Sequence, residues 1–201
     1  LGASNVARSL PTVISAARHV TGGPVEFIAA IGHGRSYGKN SWVLGRKISG
    51  ILPSRIWDEL ARRPALPTTA LLTDIGNDIL YGSSINCIVT WVKACLDHLA
   101  TVGARTTVTL LHIANLKRLG VARFMLFRTL LFPQSHLTLA AATSRAHELN
   151  DRLVELARTT KTSTFAGRND WYGFDPIHVR WTTARAAWHE IVSSAHGTQS
   201  A

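Results

Sequence analysis

Residues 70–78 read Ala70-Leu71-Leu72-Thr73-Asp74-Ile75-Gly76-Asn77-Asp78, a short apolar run that breaks at once into turn-forming residues. Such a run reads as a strand feeding a loop. Further β-rich runs lie at 25–31, 107–113 and, more weakly, 162–166. Longer stretches with helical periodicity separate them. One covers about 10–19, with Ser9 as a cap and Pro11 in its first turn; another follows Ser54. The others are 84–101, stopped by Gly103, then 139–159 and 182–194. This alternation predicts βαβ units. The expected architecture is a three-layer α/β/α domain on a doubly wound parallel sheet of about five strands, with residues 1–201 forming a single domain. A strand should feed the Leu1-Gly2-Ala3 turn, yet nothing precedes it. The first strand is therefore expected to be missing or reduced to Leu1, the start reads as cut, and a signal peptide would not be visible.

The 201 residues are 46% apolar and 17% charged, which excludes a disordered chain. No apolar run reaches the roughly 18–20 residues of a membrane-spanning helix. Two cysteines exclude a disulfide scaffold. Cys87 and Cys95, about 12 Å apart along one helix, read as free, packed thiols, which favours a reducing compartment such as the cytoplasm. No His-Glu-x-x-His or Cys/His spacing suggests a metal site.

Three short clusters stand where an open α/β sheet places ligands, at strand ends and loops. In Leu1-Gly2-Ala3-Ser4-Asn5, Ser4 at a strand-to-helix turn can point its hydroxyl into a cleft, and its backbone N–H can donate to a developing oxyanion. In Thr73–Asp78, the Asn77 amide offers two donors, while Gly76 lets the backbone approach a ligand. In Trp171-Tyr172-Gly173-Phe174-Asp175-Pro176-Ile177-His178, Asp175 can accept from one ring nitrogen of His178 and leave the other to take a proton. Each has an ordinary reading too: helix cap, turn, and capping Asp with a half-buried His.

Taken together and in order, with the Gly-rich Gly32-His33-Gly34-Arg35-Ser36 between the first two, these blocks resemble the SGNH (GDSL-like) hydrolases over Gly2 to His178. The resemblance implies a flavodoxin-like sheet and a serine esterase, lipase or deacetylase that uses no cofactor and no metal. It places the nucleophile on Ser4 and the acid and base of the triad on Asp175 and His178. The oxyanion donors it implies are the N–H groups of Ser4 and Gly34, with Gly32 as the other choice, and the Asn77 side chain. Two departures stand out. The first block has Ala3 where Gly-Asp-Ser is common, and the third has Ile75 where the first Gly of Gly-x-Asn-Asp is expected.

Trp171 and Tyr172, just ahead of the acid–base turn, are expected to wall the substrate pocket. His33 and His112 fall at strand ends near the presumed cleft and are read in ordinary polar roles. The stretch 117–133, K-R-L-G-V-A-R-F-M-L-F-R-T-L-L-F-P, reads either as a segment packed on the core or as a lid or acyl-binding wall touching an anionic lipid surface.

Charge refines this. Lys plus Arg is 22 against 12 Asp plus Glu, a formal +10, which raises polyanion binding as a competing function. No nucleic-acid motif or aromatic-interleaved basic stripe accompanies it, so no nucleic acid is expected. An inactive hydrolase homologue is the other alternative. Between Glu26 and Asp58 five basic residues and no acid occur, Arg35 among them; between Asp97 and Glu148 six basic residues and no acid occur, including Lys117, Arg118, Arg123 and Arg128. Both segments should border the cleft. The expected partner is a small ester, preferentially anionic, with Arg35 a substrate-binding residue.

Overall fold

The computed structural model describes residues 1–43, 45–114, 119–175 and 177–197. A parallel sheet of three strands lies at the centre: β3 (Thr69–Leu72), β4 (Arg105–Leu110) and β5 (Ser163–Ala166), in that order. The register pairs Leu72 with Val108 and Leu110 with Ala166. A separate antiparallel hairpin joins β1 (Ser41–Val43) to β2 (Arg46–Ile48).

Helices cover both faces. On one lie α1 (Ser4–Thr21) and α7 (Trp181–Gly197), whose Val6, Val13, Ala187, Trp188 and Ile191 bury against Leu71 and Phe165 of the sheet. On the other lie α4 (Ile85–Thr101) and α6 (Leu139–Thr160), whose Ile88, Val92, Leu96, Leu149 and Leu153 pack against Leu72 and Val108. Leu71 and Leu72 thus face opposite layers, as successive strand residues must. The fold is the expected α/β/α sandwich on a parallel sheet. Three short helices complete it: α2 (Ile56–Ala61), α3 (Asn77–Leu80) and α5 (Val121–Leu131).

The sheet differs from expectation in strand number. Residues 25–31 form no strand, and a single backbone bond, from the Gly2 N–H to the Ala30 carbonyl at 3.2 Å, ties them to the sheet. Leu1 does occupy a strand position beside β3. Its N–H donates to the Leu71 carbonyl at 2.8 Å, and its own carbonyl accepts from the Thr73 N–H at 3.0 Å. One residue cannot extend a ladder to both neighbours, so the β propensity of 25–31 goes unused.

One helix boundary also shifts. α1 starts at Ser4 rather than near Leu10, so Ser9 is a buried mid-helix residue rather than a cap, and Pro11 sits inside the helix. Pro11 there gives up one helical hydrogen bond. The expected α4 boundary matches closely: Ser84 caps it by accepting from the Cys87 N–H, and Gly103 follows at φ +65°. Cys95 is buried, which pushes its thiol up to about 12, whereas Cys87 is exposed rather than packed. Among the described residues, no helix is long and apolar enough to cross a membrane.

Candidate active site

The C-terminal ends of the three parallel strands open into one cavity of about 170 Å³. Thr73 and Asp74 after β3, Leu111 and His112 after β4, and Gly167 and Trp171 after β5 all line it. This is where an open parallel sheet concentrates its ligands, because every strand there hands over to a loop.

Beside it, residues from opposite ends of the chain meet. Ser4 is the first residue of α1, and His178 lies in the loop before α7. Ser4 Oγ is 2.8 Å from His178 Nε2, and His178 Nδ1 is 2.6 Å from Asp175 Oδ2. A carboxylate only accepts, so Nδ1 carries the hydrogen, and Nε2 is the nitrogen placed to take the proton of the Ser4 hydroxyl. The other Asp175 oxygen accepts from the N–H groups of Ile177 (3.0 Å) and His178 (3.2 Å), and Arg8 Nη1 stands 3.8 Å from Oδ2. Burial pushes the Asp175 carboxyl up, but the His178 ring and these two N–H groups outweigh it and hold the carboxyl below its usual range. Asp175 therefore stays ionised beside the ring it orients.

The Ser4 turn is held from outside. Asp74 takes the left-handed conformation at φ +59°, which Asp tolerates better than most residues. Its Oδ2 accepts the Ala3 N–H at 2.8 Å and its Oδ1 accepts the Asn5 side-chain amide at 2.7 Å. The same Asn5 amide also donates to the Ile177 carbonyl at 3.0 Å, and its Oδ1 accepts the Val179 N–H at 3.0 Å. Asn5 thereby joins the Ser4 turn, the Asp74 loop and the His178 loop. Gly2 lets the turn come this close, since a Cβ there would stand 2.1 Å from Thr73 Oγ1. Neither Asn5 nor Asp74 was assigned a role from sequence. The available signal was adjacency: each flanks or lies within a block already singled out.

The second and third blocks are also cross-tied. Asp78 is fully buried; Ser36 Oγ and the Tyr37 N–H (2.8 Å) both donate to its carboxylate. Burial raises the Asp78 carboxyl, and these two donors oppose the rise. Tyr81 OH donates to the Gly34 carbonyl at 2.6 Å, and Gly34 adopts φ +62°, a conformation that suits glycine. Asn77 begins α3, is only 8% exposed and lines the cavity, yet its Nδ2 has no hydrogen-bond partner among the described residues. A buried amide donor left unpaired is costly unless a ligand oxygen arrives to take it.

Of the expected pocket walls, Trp171 and Tyr172 both line the cavity, and Tyr172 stacks on His112 with centroids 4.6 Å apart. Arg35 is not brought there. Its guanidinium donates to the Ile31 (3.1 Å) and Gly50 (3.4 Å) carbonyls and borders a separate concavity with Ser54 and Glu59. Gly32 serves the same loop by accepting the Arg35 N–H. In the stretch expected as lid or wall, Phe124, Phe127 and Arg128 of α5 line the cavity, while Val121, Leu126 and Leu130 face solvent. Lys117, Arg118 and Pro176 lie outside the described residues. Among the described residues, no group of three His, Cys, Asp or Glu side chains could hold a metal ion.

Solved structures share this arrangement of elements. A carbohydrate acetylesterase from Sinorhizobium meliloti superposes with a TM-score of 0.63 at 15% identity, covering 92% of this chain and 84% of its own. The native aryl esterase of M. smegmatis gives 0.63 at 14%, with the same coverages. An arylesterase-like structure from Agrobacterium tumefaciens str. C58 gives 0.57 at 11%, covering 89% and 82%. The chain shares the fold of these esterases, which is the fold its resemblance to the SGNH hydrolases implies. No family model matches the sequence, and no curated protein does so either. The expected α/β architecture on a parallel sheet holds at the level of fold.

Proposed function

We propose that the protein is a serine ester hydrolase with Ser4 as nucleophile. The observation that carries this reading is the unbroken series Ser4 Oγ, His178 Nε2, His178 Nδ1 and Asp175 Oδ2, with contacts of 2.8 and 2.6 Å. The esterase-type fold of the structural neighbours supports it.

His178 takes the Ser4 proton as Oγ attacks the acyl carbon, and Asp175 stabilises the imidazolium that forms. Negative charge develops on the former carbonyl oxygen. The Asn77 Nδ2, buried and unpartnered, and the N–H groups of Ser4 and Gly34 are its proposed donors. Collapse expels the alcohol, which receives the proton from His178. Water, deprotonated by the same ring, then frees the acid and restores Ser4.

Hydrolysis of 4-nitrophenyl acetate by wild type and by Ser4→Ala tests the reading. The wild type turns over and the variant falls to background with its circular dichroism unchanged. Full activity in Ser4→Ala rejects the assignment.

A further inference from the structure

α5 projects Phe124, Phe127 and Arg128 into one cavity. These three are spaced i, i+3 and i+4, so a helix places them on a single face. Two are what an apolar wall requires. The third is a guanidinium.

Among the described residues the Arg128 side chain makes one hydrogen bond. Its Nη1 donates to the Leu137 carbonyl at 2.9 Å, which fixes that end of the group. Its Nε is shielded from solvent and has no hydrogen-bond partner among the described residues. None of the ion pairs among the described residues includes it. With Nη1 turned to Leu137, the adjacent pair Nε and Nη2 makes no hydrogen bond among the described residues. They form the side edge of the guanidinium, the edge that a carboxylate takes with two parallel hydrogen bonds. A part-buried cation with that edge unused is costly to leave without an anion.

The rest of the cavity limits what the anion can be attached to. Its walls are mainly apolar, including Leu80, Phe124, Phe127 and Phe132, and Asn77 lies on the same lining. The volume of about 170 Å³ compares with the roughly 150 Å³ cavity that takes up benzene, so it holds about six carbons. An apolar chain with the ester at the Asn77 end and a charge at the Arg128 end satisfies both groups at once.

We propose that Arg128 is a specificity residue for an acyl group that ends in a carboxylate: the substrate is a monoester of a dicarboxylic acid of about six carbons. This rests on the esterase reading of the same site. An uncharged acyl chain of equal length would leave the Arg128 edge unpaired, which is what discriminates the two.

The test compares kcat/KM for the mono-4-nitrophenyl ester of adipic acid with that for 4-nitrophenyl hexanoate. The wild type favours the adipate ester. In Arg128→Met the adipate-to-hexanoate ratio falls about 10–100-fold, mostly through KM, as expected for loss of a charge-assisted bidentate pair. Arg128→Lys keeps the charge without the fork and recovers only part of the preference; it also carries the test should Arg128→Met not fold. Arg123→Met, an exposed cation on the same helix, leaves the ratio at the wild-type value. A wild type that favours hexanoate, or a ratio unmoved in both Arg128 variants, overturns the proposal while leaving an esterase. A wild type that cleaves 4-nitrophenyl acetate but neither of these esters also overturns the proposal; if it cleaves none of the three, the esterase reading fails, and calorimetric titration with adipate decides the anion site. Adipate binding that is lost in Arg128→Met keeps it, and no binding to wild type overturns it.

Discussion

Asp74 Oδ2 accepts the Ala3 N–H at 2.8 Å, so the loop that leads to Asn77 also fixes the turn that carries Ser4. The proposed nucleophile and a proposed oxyanion donor are thereby held by one residue, in a left-handed conformation that costs on the order of 1 kcal/mol. Asp74→Ala removes both tethers. Displacing a reacting group by about 1 Å can cost roughly 100-fold in rate, and a drop of that order in kcat on 4-nitrophenyl acetate is expected. Asp74→Gly relieves the backbone but also lacks the carboxylate. If it restores activity, strain rather than the tether is what matters.

Asn5 makes three hydrogen bonds that bind the Ser4 turn to the Asp74 and His178 loops. Asn5→Ala leaves the Val179 N–H without its acceptor, and a loss of about 1–3 kcal/mol in urea unfolding follows. Activity falls with it, because the same bonds position His178. A variant as stable and as active as wild type would show that these bonds are dispensable.

Asn77 behaves in the opposite way. Its buried Nδ2 satisfies nothing in the free protein, so Asn77→Ala lowers kcat about 100–1,000-fold without loss of stability, and unfolding free energy stays level or rises. A destabilised variant with near-normal kcat contradicts a donor role.

Asp175 makes stability depend on acid. Its carboxyl lies below the usual 3.8 in the folded chain, so its contribution is present at pH above the unfolded value and is lost as pH falls through the folded one. Wild type should therefore lose more stability than Asp175→Asn between about pH 4 and pH 2, the range just around and below the ordinary carboxyl value. Parallel stability–pH curves would remove Asp175 from the ion-paired role.

The order of blocks, through its resemblance to the SGNH hydrolases, singled out Ser4, Asn77, Asp175 and His178, and the structure brings Ser4, His178 and Asp175 into contact. α4 was legible for a local reason: Ser84 and Gly103 mark its ends by side-chain capping and by φ. Where placement depends on distant partners, local pattern failed. Residues 25–31 have strand-forming side chains but reach the sheet through one bond, to Gly2. The start of α1 at Ser4 has no side-chain cap and rests on Asp74, about seventy positions away, so Ser9 and Pro11 gave a plausible but late boundary. The hairpin β1–β2, only three residues a strand, fell below what alternation can reveal. Arg35 was chosen for its charge and its neighbours, and its own backbone acceptors, Ile31 and Gly50, hold it away from the cavity.

The nucleophile itself is tested by covalent capture. A fluorophosphonate ester reacts with a serine whose proton a neighbouring imidazole can take. Intact-mass and peptide mapping after brief exposure should show one adduct, on the peptide carrying Ser4, blocked by Ser4→Ala and strongly slowed by His178→Ala. An adduct on another serine, or equal labelling of Ser4 with and without His178, would contradict the assignment of Ser4 and His178 as nucleophile and base.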